Sequence, residues 1–100
     1  MRLIVTPLAE EDLESIGDHI AKDSPRRAAT FIGELRSQFK TITANPLAFR
    51  LRPELGEGIR SLAYGNYVIF FQASASELLI VRVLHGAMDI EARFDEAGSH

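Results

Sequence analysis

Four side chains in this sequence stand where they could meet a phosphate or a carboxylate: Arg52, Arg60, Arg82 and His85. Guanidinium groups stay protonated, so the arginines can hold an anion but do not serve as bases. His85 can change its charge near neutral pH. It ends an apolar run just before Gly86, a place from which side chains often project into a cleft. Cleaving RNA requires a base for the 2′-hydroxyl, an acid for the leaving oxygen and cations for the phosphorane. His85 supplies one proton handler, and the second must come from Tyr64, Tyr67, Asp89 or Glu91. Arg60, Arg82 and His85 therefore make a thin nuclease set. A structural reading stays open beside it, with Arg60 and Arg82 salt-bridged to Glu57, Glu77 or Asp89 and His85 hydrogen-bonded at a turn.

Other chemistries have less support. The chain has no cysteine, which removes disulfides, thiolate metal sites and a cysteine nucleophile. His19, His85 and His100 do not form a ligand pair at helical spacing, so neither a metal nor another cofactor is expected. Gly56-Glu57-Gly58 lacks the further glycine and the helix of a phosphate loop. His19 and the acids around it read as facing water, where they are out of place for acid–base work. Tyr64, Tyr67, Phe70 and Phe71 could stack on bases, but aromatic residues of a central strand are more often core. Phe49 and Phe94 fall outside the regular elements on this reading, which makes them the better candidates for touching a partner.

The elements that must position these residues show in the apolar periodicity. Leu3-Ile4-Val5 is a short β-type run closed by Thr6-Pro7, a cap followed by a proline suited to a first helical turn. From Leu8 to about Lys22, residues Ala9, Leu13, Ile16, Gly17 and Ile20 share one helical arc. Ser24-Pro25 repeats the signal and opens a second helix to about Ala44, where Asn45-Pro46 ends it. Arg26 and Arg27 lie in its first turn, where the helix dipole disfavours cations, a conflict of the kind retained for binding. Residues 47–58 read as a loop. Strands follow at 59–64, 67–71 and 77–85, joined by turns at Gly65-Asn66 and at residues 73–76. Their near-continuous apolar runs imply burial on both faces. Residues 89–94 then fit one or two turns of helix.

The order β-α-α-β-β-β predicts an α+β domain, an N-terminal helical hairpin packed on a small, largely antiparallel sheet with a short C-terminal helix. Residues 1–97 read as a single domain and 98–100 as an appended tail. The partner of the first strand stays open among the later ones.

Composition bounds the function. At 100 residues, 46% hydrophobic and 25% charged, the chain can bury a core and does not have a disordered composition. No apolar run reaches a membrane-spanning length, and the start lacks the pattern of a secretory signal, so a cytoplasmic protein without membrane contact is expected. A net charge of −3 argues against bulk nucleic-acid binding. The charges are segregated. Residues 8–23 carry Glu10, Glu11, Asp12, Glu14, Asp18 and Asp23 against Lys22 alone, whereas residues 24–60 are basic. Such polarity fits either a partner with complementary patches or plain solvated faces.

The segment Tyr64-Gly65-Asn66-Tyr67-Val68-Ile69-Phe70-Phe71, followed by Val81-Arg82-Val83-Leu84-His85-Gly86-Ala87-Met88-Asp89, resembles the ParE/RelE superfamily of bacterial toxins, and within it the ParE-like plasmid-stabilisation branch. Ala9, Leu13, Ile16, Ser24-Pro25, Phe31, Leu35 and Asn45-Pro46 extend the resemblance over about residues 3–94. It implies the toxin of a type II toxin–antitoxin pair that poisons DNA gyrase without being an enzyme. A cognate ParD-like antitoxin, a small DNA-binding protein, would wrap it in a hetero-oligomer. RelE-like members are instead ribosome-dependent mRNA endonucleases. Against that branch, this chain has no lysine after Lys40 and no tyrosine after Tyr67. A third possibility is a non-toxic module that only binds its antitoxin. Under the ParE-like reading, target contact is expected at Arg60, Arg82, His85, Met88, Asp89, Arg93 and Phe94. Antitoxin contact is expected at Arg26, Arg27, Phe49, Arg50 and Arg52.

Overall fold

The computed structural model describes residues 1–88 and 90–98. Strand β1, Arg2–Val5, leads into Thr6, whose side chain accepts a hydrogen bond from the Ala9 N–H and starts helix α1, Pro7–Ala21. Ser24 does the same for the Arg27 N–H at the start of helix α2, Pro25–Ala44. Both expected caps are in place. The buried faces are Ala9, Leu13 and Ile16 on α1, and Ala28, Phe31, Leu35, Phe39 and Ile42 on α2.

Among the described residues the sheet has five strands, in the order β1, β5 (Glu77–His85), β4 (Tyr67–Ala73), β3 (Ile59–Tyr64) and β2 (Arg50–Leu51). Strands β3, β4 and β5 form the expected antiparallel meander. The open question about the first strand is answered at the edge: β1 pairs with β5, in parallel. Gly65 turns the β3–β4 hairpin at φ 59° while Asn66 keeps a negative φ, the type II′ pattern that places glycine first. Residues 47–58 are more ordered than a loop. Two 3₁₀ turns, Pro46–Ala48 entering the segment and Pro53–Leu55 within it, flank a two-residue strand β2, Arg50–Leu51, paired with β3. Two residues are too few to show a period, so nothing in the sequence marks β2.

Burial on both sheet faces is met. Leu35, Phe39, Phe71 and Ile80 belong to a cluster between the helices and one face. On the other face Ile59, Phe70 and Leu84 are covered by Leu55, Ile90 and Phe94. Neighbours Phe70 and Phe71 thus point to opposite sides, as strand geometry requires. The last two cover residues belong to helix α3, Ile90–Gly98. This helix is longer than the expected one or two turns and takes in Gly98, read from the sequence as tail. Asp89 lies outside the described residues.

Candidate functional site

Strand β1 stops level with Ile80, so the outer edge of β5 runs on without a strand neighbour. Residues of and before α1 take over. The Thr6 hydroxyl donates to the carbonyls of Ile80 and Val81 at 2.8 and 3.2 Å while capping α1. One turn further on, Asp12 accepts the Val83 N–H at 2.9 Å. It also accepts two bonds from Arg82, at 2.8 and 2.9 Å. Arg82 donates in addition to the Arg93 carbonyl at 3.4 Å, tying β5 to α3. The Arg82 and Asp12 side chains are only 11% and 12% exposed.

This pair corrects the sequence reading twice. Among the described residues Arg82 pairs with Asp12 and not with Glu57 or Glu77, the third expected acid, Asp89, lying outside them, and the acids of α1 do not all face water. Asp12 lies about 40° around the helix from Ile16, on the border of the apolar arc. That position was the available signal. A local register shift accompanies the site. Phe70 pairs with Arg82 but Phe71 with Ile80, which leaves Val81 as a bulged residue.

The other meander arginines are also held by their surroundings. Arg60 donates to the Phe49 carbonyl at 2.7 Å and to that of Leu47 at 3.4 Å, not to an acid. Arg52 meets Glu54 at 2.8 Å and the Ser61 hydroxyl at 3.3 Å, with its guanidinium 5.7 Å from the Phe70 ring centre. Arg60 pairs with Phe71 and Arg82 with Phe70, and those phenylalanines face opposite sides of the sheet. The set Arg60, Arg82 and His85 is therefore not gathered into one site.

The residues expected to meet an antitoxin divide. Arg26 and Arg50 are exposed. Arg27 is exposed too but engaged, donating to Glu34 at 2.7 and 3.4 Å, with its guanidinium 5.1 Å from the Phe31 ring centre. The Tyr64 hydroxyl donates to the same carboxylate at 2.8 Å. Hydrogen bonds from Arg27 and then Tyr64 hold the Glu34 carboxyl below its ordinary range, and the bond to Glu34 pushes the Tyr64 phenol up. Phe49 is no free-standing contact: half-buried, it packs edge-on against Phe71 at 5.8 Å. Phe94 likewise sits in α3, edge-on against Phe70 at 5.0 Å.

His85 ends β5 opposite Tyr67, its ring edge-on to the phenol at 5.2 Å. Its Nδ1 accepts the Ala87 N–H at 3.0 Å, so the proton of the neutral ring sits on Nε2. His85 and Met88 share a cleft of about 280 Å³ with Asp12, Ser15 and His19. His19 is exposed as expected, yet it forms one wall of this cleft. Asp12, Ser15 and His19 follow i, i+3, i+7 spacing, a helical stripe beside the apolar arc that the reading of single histidines missed. Among the described residues, no cluster of three or more potential metal ligands occurs, and no helix is long and apolar enough to cross a membrane.

Comparison with known proteins adds two findings. Residues 3–90 match the family described as the ParE toxin of the type II toxin–antitoxin system parDE. Among solved structures, the fold is similar to a chain of a chromosomal ParDE toxin–antitoxin system from P. aeruginosa. That likeness has a TM-score of 0.72 and 25% identity, covering 85% of this chain and 95% of the other. Comparison with curated proteins returned no significant match.

Proposed function

The chain belongs to the ParE toxin family of type II toxin–antitoxin systems, and from that premise we propose that it is a non-catalytic toxin acting on a type II topoisomerase, DNA gyrase foremost. A cognate ParD-like antitoxin holds it in check within a cytoplasmic hetero-oligomer. The observation that carries this reading is the engagement of Arg82. A nuclease would need that guanidinium for a phosphate, and here it is closed into a two-bond pair with Asp12. The tautomer of His85 points the same way, because a ring with Nδ1 already accepting and Nε2 protonated is a donor rather than a base. Arg60, Met88, Arg93 and Phe94 remain the proposed contributors to target contact with His85, together with Asp89 outside the described residues, while Arg82, paired with Asp12, shapes the site. Arg26 and Arg50 are the exposed cations proposed to face the antitoxin, with Arg27 and Arg52 beside them.

The test pairs two assays on the purified chain. Inhibition of gyrase supercoiling, or trapping of cleaved DNA, with mRNA on translating ribosomes left intact, is the expected result. Normal supercoiling together with ribosome-dependent mRNA cleavage would transfer the chain to the RelE-like mode. Absence of growth arrest on expression, with antitoxin binding retained, would leave only a non-toxic binding module.

A further inference from the structure

The two edges of the sheet are built differently. On one side β2 is two residues long, carries Arg50 beside Arg52 and is followed by Pro53. Short length, charge and proline are the devices by which natural edges avoid pairing. On the other side β1 offers Leu3-Ile4-Val5, a run with none of these guards. The Arg2 and Thr6 N–H groups donate inward, to the Ser76 and Ile80 carbonyls. Strand alternation then turns the N–H and C=O of Leu3 and Val5 outward, where among the described residues they have no partner. Exposed apolar side chains flank the same strand, Met1 (54% exposed) before it and Leu8 (40%) after it.

We propose that β1 pairs antiparallel with β1 of a second copy of this chain, joining the two sheets across a two-fold axis at Ile4. Leu3 of each copy then exchanges both main-chain hydrogen bonds with Val5 of the other, and all the outward groups of the strand are satisfied. The Ile4 residues of the two copies sit opposite each other at the close, non-hydrogen-bonded position. The strand ends select a second copy over an arbitrary strand. In this register Met1 lies opposite Pro7 of the other copy and next to its Leu8, so exposed apolar side chains meet at both ends. Arg2 is exposed and, among the described residues, without an ion pair. It comes opposite Thr6, at the end from which the other copy's α1 departs with Glu10 and Glu11, and no like charges face each other along the strand. The proposal goes beyond the topoisomerase reading and is tested without that enzyme.

Sedimentation equilibrium and amide hydrogen exchange on the purified chain, free of antitoxin, provide the test. So short an interface makes a weak dimer, with a dissociation constant on the order of 100 µM. The Leu3 and Val5 amides, unpaired within one chain, should exchange roughly fourfold more slowly at about 1 mM than at about 10 µM, following the dimer fraction. Ile4→Lys sets like charges across the axis and should raise the dissociation constant at least about tenfold. Arg2→Glu, on an exposed position that leaves the fold intact, should raise it about threefold, and adding Glu11→Arg should restore it. A chain that stays monomeric up to about 1 mM would overturn the proposal. So would a dimer whose Leu3 and Val5 amides remain unprotected, or one that neither variant weakens. Protection of these amides found only in the co-purified complex with the antitoxin would overturn it in favour of a strand from that partner.

Discussion

Two regions of this molecule use the same chemistry, a guanidinium held by a carboxylate through two hydrogen bonds, in opposite settings. At the β5 edge, Arg82 and Asp12 are nearly buried and share their network with a backbone amide. At the N-terminal end of α2, Arg27 and Glu34 are 51% and 37% exposed and share theirs with a tyrosine hydroxyl. Burial decides what each is worth. Water can replace either partner of the exposed pair, whereas removing one partner of the buried pair strands a charge in the interior. The first pair therefore belongs to the fold and the second to the surface.

The sharpest way to break that contrast is Asp12→Ala. It removes the carboxylate that accepts both Arg82 bonds and leaves the Val83 N–H without that acceptor, and should destabilise the chain by about 3–5 kcal/mol in urea denaturation. Replacing both charges by apolar residues, Asp12→Leu with Arg82→Met, should recover much of that loss, because neither buried charge then remains to be compensated. A loss under about 1 kcal/mol for Asp12→Ala would place the pair in the same class as surface bridges.

Next in size is Thr6→Val, which keeps the shape but deletes the hydroxyl. The cap of α1 and the bonds to the Ile80 and Val81 carbonyls go together. A cost of about 1–2 kcal/mol is expected from the lost cap and the two carbonyls. If Thr6→Val proves neutral, the suture of α1 to β5 rests on Asp12 alone.

The contrast also explains what the sequence revealed. Helix phases, both caps and the meander were legible because each is written in nearby residues: Thr6-Pro7, Ser24-Pro25, the 3.6 period, the Gly65-Asn66 turn. The toxin-like strand end at Arg82 to Met88 was legible by resemblance. What stayed hidden was set by contacts between distant segments. The parallel pairing of β1 with β5 joins residues more than 70 positions apart. The engagement of Arg82 by Asp12 spans 70 positions, and although Asp12 borders the apolar arc, no local pattern names Arg82 as its partner. The packing of Phe49 stayed hidden for the same reason. It lies beside a 3₁₀ turn and next to β2, but its ring is recruited to the core by Phe71, a distant strand. The cleft at His85 was half visible, since its β5 wall ends the recognisable motif, while the α1 wall is a polar stripe of ordinary surface residues.

The smallest effects belong to the exposed network. Tyr64→Phe removes one donor to Glu34, and Arg27→Ala removes the other two bonds. Each should change stability less than Thr6→Val does, because water replaces what is lost at an exposed pair. Their pH signatures differ in sign. Glu34 has a folded pKa below the ordinary carboxylate value, so its contribution is present above that value and fades as pH falls through the folded one. Tyr64 has a folded pKa above the ordinary 10.0, so its contribution holds below pH 10.0 and is lost as pH rises through the folded value. Stability measured against pH should therefore show Arg27→Ala diverging least from the parent at acid pH, where Glu34 is protonated in both proteins. The parent should lose stability more steeply than Tyr64→Phe as pH rises through the folded value of the phenol, where the parent's own phenol ionises and its bond to Glu34 turns into repulsion. An alkaline limb identical in the parent and Tyr64→Phe would show that the phenol and carboxylate are not coupled. The exposed network would then reduce to the Arg27–Glu34 bridge.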